Sequence, residues 1–169
     1  QAAGLARDLE PFKLLFLEDP LRPEHKESFR VVRRASTTPI AMGELFHSKY
    51  ECLPLIAEQL IDYIRCDIGH IGGLTEARKI AAMAEAHHIM MAPHSGSLGP
   101  VAEYAALHIL AAIPNGLILE RIEDDWEGRE KTIVPHPKQT DGFIPVPDAP
   151  GLGCDIDEDF VAQFPSEAN

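Results

Sequence analysis

The chain has 169 residues, with 15 Lys and Arg against 27 Asp and Glu, for a formal charge of −12. Hydrophobic residues make up 45% and charged residues 25%, the balance of an ordinary globular domain long enough to bury a core. No apolar run nears the ~20 residues of a membrane span. The acidic balance lacks the basic footprint of a nucleic-acid binder. Three scattered cysteines (Cys52, Cys66, Cys154) make no disulfide framework, and no signal peptide opens the chain, so a reducing, cytoplasmic setting is expected. The chain opens on Gln1 rather than Met, which points to processing or to a piece of something longer.

In chain order, short apolar runs alternate with stretches of helical period. Leu14-Leu15-Phe16-Leu17 is closed by Glu18-Asp19-Pro20. A helix is predicted over residues 23–35, with Pro23 in its first turn. Pro39-Ile40-Ala41-Met42 is closed by Gly43-Glu44, and a second helix follows over 49–59. Tyr63-Ile64-Arg65-Cys66 is closed by Asp67. Gly69, Gly72 and Gly73 then read as a tight strand-to-helix connection, because they match neither a dinucleotide fingerprint nor a P-loop. Residues 75–87 carry Ala77, Ile80, Ala81 and Ala84 at the spacing of one helix face, with Thr75 as the expected cap. Ile89-Met90-Met91-Ala92-Pro93 is closed by His94, and a helix is expected over 98–112. Gly116-Leu117-Ile118-Leu119 is closed by Glu120.

Runs this short and continuously apolar suit strands buried on both faces of a parallel sheet. The alternation therefore predicts an α/β fold with right-handed crossovers and about five parallel strands. The pattern breaks after residue 121, so residues 1–121 form the α/β part and 122–169 an irregular tail. In that tail, residues 144–147 and the Pro150-Gly151-Leu152-Gly153 run look like a strand entering a turn. Residues 157–163 look like a last short helix.

What closes each run is the informative feature. Glu18, Glu44, Asp67, His94 and Glu120 each stand just past the last buried position of successive runs. A single carboxylate after a strand is most simply a cap or a solvated charge, and Asp19 is read that way. Five ionisable closers in a row point instead to an active site at the C-terminal ends of barrel strands. Glu18 and Glu44, on neighbouring strands, suit a hard oxygen-seeking cation such as Mg²⁺. Asp67 beside His94 makes an oriented general base, since the carboxylate fixes the imidazole tautomer and raises its basicity. Glu120 faces back across the mouth. His47 and His70 also follow strand ends and are weaker substrate contacts. His25, His87, His88, His108 and His136 sit on helices or loops and are read as structural, and Cys66 as buried packing.

Together, Phe16-Leu17-Glu18-Asp19-Pro20, Met42-Gly43-Glu44, Asp67 with Ile71-Gly72-Gly73-Leu74-Thr75, Ala92-Pro93-His94 and Leu119-Glu120 resemble the enolase superfamily, mandelate-racemase subgroup. Pro93-His94 leading into Leu98-Gly99-Pro100, and Pro150-Gly151-Leu152-Gly153, most resemble sugar-acid dehydratases of the galactonate type. Gly43-Glu44-Leu45-Phe46 also resembles mannonate dehydratases, although Asp67 with His94 fits the racemase and galactonate pattern better. The resemblance implies the C-terminal part of a (β/α)₇β TIM-like barrel. It makes Glu18 and Glu44 Mg²⁺ ligands, Asp67–His94 the base dyad, and Glu120 an acid that contacts the substrate carboxylate or its enediolate. It leaves the third metal ligand, a second acid/base group and the capping domain to a missing N-terminal half.

The implied activity is a Mg²⁺-dependent lyase acting on a sugar acid. His94 removes the α-proton, a metal-stabilised enediolate forms, and a β-hydroxyl leaves. A racemase, epimerase or cycloisomerase shares the first step and stays open as an alternative, as does an inactive fragment or scaffold. The expected partners are a small carboxylate substrate, the missing half and further copies of the chain, with no nucleic acid or membrane.

Overall fold

The computed structural model describes residues 1–95, 99–122, 128–136 and 138–164. Its centre is a four-stranded sheet of β1 (Leu17–Glu18), β2 (Ile40–Met42), β3 (Tyr63–Ile64) and β4 (Met90–Met91), hydrogen-bonded in that order. Every pairing is parallel, with Leu17 opposite Ile40, Ala41 opposite Tyr63 and Ile64 opposite Met91. The strands are short, but β2 is buried at all three positions, as a strand covered on both faces must be.

The fifth run pairs in the predicted place and direction, yet forms one parallel bridge rather than a strand. Gly116 stands opposite Met91; Met91 N–H donates to Asn115 O at 2.8 Å, and Leu117 N–H to Met91 O at 2.9 Å. Leu117 and Ile118 are exposed, so the expectation of burial on both faces fails at this edge. Asn115 anchors the run from within, donating through its side-chain amide to Ala81 O and Ile89 O.

Helices α2 (Phe29–Ala35), α3 (Lys49–Ala57), α4 (Leu74–Ala86) and α5 (Pro100–Ala112) connect the strands. Helix α1 (Ala2–Asp8), which sequence reading passed over, packs its buried Ala6 near α2. The predicted helix over 23–35 is divided: a 3₁₀ segment spans Pro23–Ser28, His25 leaves helical geometry (φ −102°, ψ 24°), and only the second half is α-helical.

Helix α4 buries Ala77, Ile80, Ala81 and Ala84, the face its spacing predicts. Its cap, however, is Gly73 and not Thr75. Gly72 and Gly73 take φ of +100° and +85°, which lets the chain turn early and start the helix at Leu74. The core that results joins Phe29, Leu55, Ile56, Ile64, Ile80 and Met91 across sheet and helices. Cys52 and Cys66 lie within it, fully buried, with their sulfurs 3.6 Å apart.

The tail departs from expectation in its pairing. β5 (Ile133–Val134) runs antiparallel to β6 (Asp155–Ile156), and residues 144–147 form no strand. Pro145 and Pro147 lack the N–H that a ladder needs. A one-turn helix, α6 (Glu158–Val161), follows where a last helix was predicted, capped by the Asp157 carboxylate accepting from Phe160 N–H at 2.9 Å. The tail fastens to α5: Tyr104 donates its hydroxyl to Pro135 O, His108 Nε2 donates to Leu152 O at 3.0 Å, and Arg129 Nη2 donates to Glu103 at 3.4 Å. No helix among the described residues is long and apolar enough to cross a membrane.

Candidate active site

Parallel alignment puts the C-terminal ends of β1 to β4 and of the bridged fifth run on one side of the sheet. Asp67, three residues past the end of β3, is wholly buried. Its Oδ1 accepts from Gly69 N–H at 2.8 Å and His70 N–H at 3.2 Å, so the glycine loop holds the carboxylate still. Its Oδ2 lies 3.0 Å from His94 Nδ1. Burial alone would push the Asp67 carboxyl up, but the His94 hydrogen bond and the two backbone donors outweigh it and hold the group below its usual range. An ionised Asp67 accepts only, which places the proton on Nδ1 and leaves Nε2 facing outward.

That nitrogen meets two further carboxylates, Glu44 Oε2 at 3.5 Å and Glu120 Oε2 at 3.6 Å. The hydrogen bond to Asp67 is the main reason the His94 pKa is raised; burial opposes it, and the charges of Glu120 and Glu44 add to it. Glu120 also accepts from Ser95 N–H at 3.4 Å. The five predicted closers thus converge on one mouth, Glu18 included: it is joined to Glu120 through Arg65. His70 borders the group, with Nδ1 3.1 Å from Glu44 O, and the His47 ring stacks at a tilt 5.7 Å from that of His70.

Sequence reading missed Arg65. Its guanidinium is buried, pairs through Nε with Glu18, and places Nη2 2.9 Å from Glu120 Oε2. Its Nη1 donates to Ala92 O at 3.3 Å, and it lies over the Phe16 ring. The signal was present: Arg65 precedes Asp67 by two, so a period of two puts both on the face that lines the mouth.

Asp19 is the second correction. Instead of a solvated loop charge it is a half-buried carboxyl whose Oδ1 has no hydrogen-bond partner. Burial, then the charges of Glu44 and Glu18, push it up to about 6, with Arg65 and His94 opposing.

That crowding of negative charge is the test for a cation. Glu18 and Glu44 offer hard oxygen donors on adjacent strands, which fits a partial octahedral shell for Mg²⁺. Among the described residues no third His, Cys, Asp or Glu completes a coordinating group. A cleft of about 680 Å³ lies elsewhere, between the tail and the start of α5. Convergent ionisable groups, rather than enclosed volume, mark the mouth.

A sector of parallel β/α barrel with an imidazole–carboxylate dyad and acids at its C-terminal rim defines a class of acid/base enzyme scaffold. The model of the enolase C-terminal domain-like family matches residues 1–160, and the chain belongs to that family. A D-mannonate dehydratase of Caulobacter sp. strain K31 is 41% identical over 167 residues, covering 98% of this chain and 41% of its own length. A D-galactonate dehydratase family member of Pantoea ananatis is 45% identical over 168 residues, 98% of this chain and 40% of its own. The crystal structure of an enolase from Pantoea ananatis with bound D-gluconate and Mg superposes with a TM-score of 0.91 at 41% identity, covering 99% of this chain and 40% of that one. The chain therefore spans about two fifths of the length of the curated relatives it matches.

Proposed function

We propose that this chain carries the base side of a Mg²⁺-dependent sugar-acid dehydratase. The observation that carries the reading is the Asp67–His94 pair at 3.0 Å, with Nε2 turned toward the mouth acids. The relatives named as mannonate and galactonate dehydratases, and the related structure holding D-gluconate and Mg, support the substrate class. Glu18 and Glu44 would hold the metal, which supplies Lewis-acid neutralisation of charge on the substrate carboxylate.

The chain's own residues do the rest. Asp67 keeps the proton on His94 Nδ1, so Nε2 is free to accept the proton next to the substrate carboxylate. Once protonated, the imidazolium is stabilised by the ionised Asp67 and by the nearby Glu120 and Glu44 charges. Glu120 and Arg65 flank the carboxylate position and orient it. Loss of a β-hydroxyl then gives a 2-keto-3-deoxy acid. In the same reading, residues 1–121 supply the chemistry and residues 122–169 are a tail that packs outside the barrel or on a capping domain. The remaining acid/base group and the third metal ligand come from a further segment of the kind the longer relatives contain.

The test is a panel of aldonic acids with Mg²⁺, read as 2-keto-3-deoxy product and as α-proton exchange in deuterium oxide. His94→Asn should abolish both while sugar-acid binding persists. Wild-type exchange in that variant would remove His94 from the role of base.

A further inference from the structure

Outside the mouth, the most deeply buried carboxylate among the described residues is Glu103, fully enclosed in the first turn of α5. Its Oε1 lies 2.7 Å from Arg121 Nε, and its Oε2 accepts from Arg129 Nη2 at 3.4 Å. Both arginine side chains are almost completely buried as well. Arg121 Nη2 also reaches His136 Nε2 at 3.2 Å; a guanidinium only donates, so that imidazole nitrogen is the acceptor. Desolvation largely offsets the attraction within a buried ion cluster, so net stability is a weak reason for one, and fixed geometry is a better one.

The geometry at stake is that of the neighbouring residue. Arg121 directly follows Glu120, and the two side chains go to opposite sides of the chain. Arg121 turns outward to α5. Glu120 turns inward, to Arg65 Nη2 at 2.9 Å, His94 Nε2 at 3.6 Å and Ser95 N–H at 3.4 Å. The bridge of the fifth run to β4 pins residue 116, and Glu120 N–H donates to Pro93 O at 3.3 Å, so the backbone is held up to Glu120 and the next tie is the side chain of Arg121. Between that bridge and the tail, Glu103 grips the chain through Arg121.

We propose that Glu103 is a positioning residue: through Arg121 it sets where the Glu120 carboxylate stands in the mouth, and through Arg129 it makes that position depend on the tail. The catalytic consequence rests on the function proposed above for Glu120. The positional claim does not, which keeps the two separable by experiment.

The experiment is proton–nitrogen NMR on the ¹⁵N-labelled chain with Glu103→Gln, which keeps the shape and removes the charge. The Ser95 amide and the Arg65 Nε–H should shift together with the Arg121 and Arg129 signals. The amides of α4 and of Ile40–Met42 should hold, which reports an intact fold. Glu103→Asp, retaining the charge on a shorter stem, should shift Ser95 and Arg65 less and in the same direction. Should Glu103→Gln fail to fold, Glu103→Gln with Arg129→Met removes one charge of each sign and should give the same two shifts. Movement confined to Arg121, Arg129 and His136 would mean that Glu103 only fastens the tail, and the proposal would be wrong. In an assembled, active dehydratase, Glu103→Gln should lower kcat about tenfold with KM unchanged, the usual scale for a group that orients a site residue. An unchanged kcat would equally overturn the positioning role. A protein inactive on every sugar acid would count against the dehydratase reading and leave the NMR result to decide this one.

Discussion

His94 is held through Nδ1 by Asp67, and under the proposed function it works through Nε2; that division depends on Asp67 staying ionised. The folded Asp67 carboxyl is held below its ordinary range. Its pairing thus stabilises the fold above the unfolded-state value of about 3.9, and that stability is lost as pH falls through the lower folded value. Asp67→Asn should therefore be less stable than wild type near pH 7, with the gap narrowing below about pH 4. Urea unfolding at both pH values measures it; a gap that does not change with pH would contradict the ionised pairing. In catalysis, Asp67→Asn should cost about 10- to 100-fold in kcat, less than His94→Asn, because the imidazole remains in a poorer tautomer. The five mouth groups were legible because each interrupts the chain just after an apolar run. Arg65 was not, because it stands inside its run, where the eye sees a strand and discounts the charge. Asp19 was misread because a positive φ of 42° at that residue is invisible in a string of letters.

At the scale of the element, backbone conformation decides where the mouth groups stand. Gly43 has φ +144°, and a Cβ there would sit 3.1 Å from the backbone of Arg65 and Cys66. Gly43→Ala should destabilise by about 1–3 kcal/mol, the scale of local backbone strain, and should disturb Glu44 and Arg65 together. Denaturant titration gives the first; the Arg65 Nε–H resonance reports the second. Helix α4 is bound by ordinary packing, so Ile80→Ala should cost about 2–5 kcal/mol with no special effect on the mouth.

The α4 face was readable because four small or branched apolar residues fall at helical spacing. Its start was not, because two glycines shifted the cap from a hydroxyl to backbone geometry. The tail strands escaped notice because neither sits in a longer apolar run: Ile133-Val134 stands between Thr132 and Pro135, and Asp155-Ile156 is followed by Asp157.

At the scale of the molecule, the governing fact is that the sheet has two open edges among the described residues. There β1 pairs only with β2, and the fifth run bridges only to β4. Phe12 and Leu15 are exposed near the first edge, Leu117 and Ile118 at the second. Unpaired edges beside apolar side chains favour association with other strands. The 169-residue chain should self-associate with rising concentration, and Leu117→Lys with Ile118→Lys should reduce this in sedimentation velocity. Monodisperse behaviour of the unaltered chain at high concentration would refute it.

Helix α5 holds Pro135, Leu152 and Arg129 through three separate side chains, Tyr104, His108 and Glu103. A tail tied at three points to one helix cannot peel away residue by residue. It opens when that helix opens, so α5 and residues 129–161 should share a single free energy of opening in native-state hydrogen exchange. Because Arg121 and Arg129 meet on Glu103, the same opening would release the chain beside Glu120. The helix that holds the tail and the segment that carries Glu120 would then be one cooperative unit, and exchange at α5 would track the lifetime of the arranged mouth.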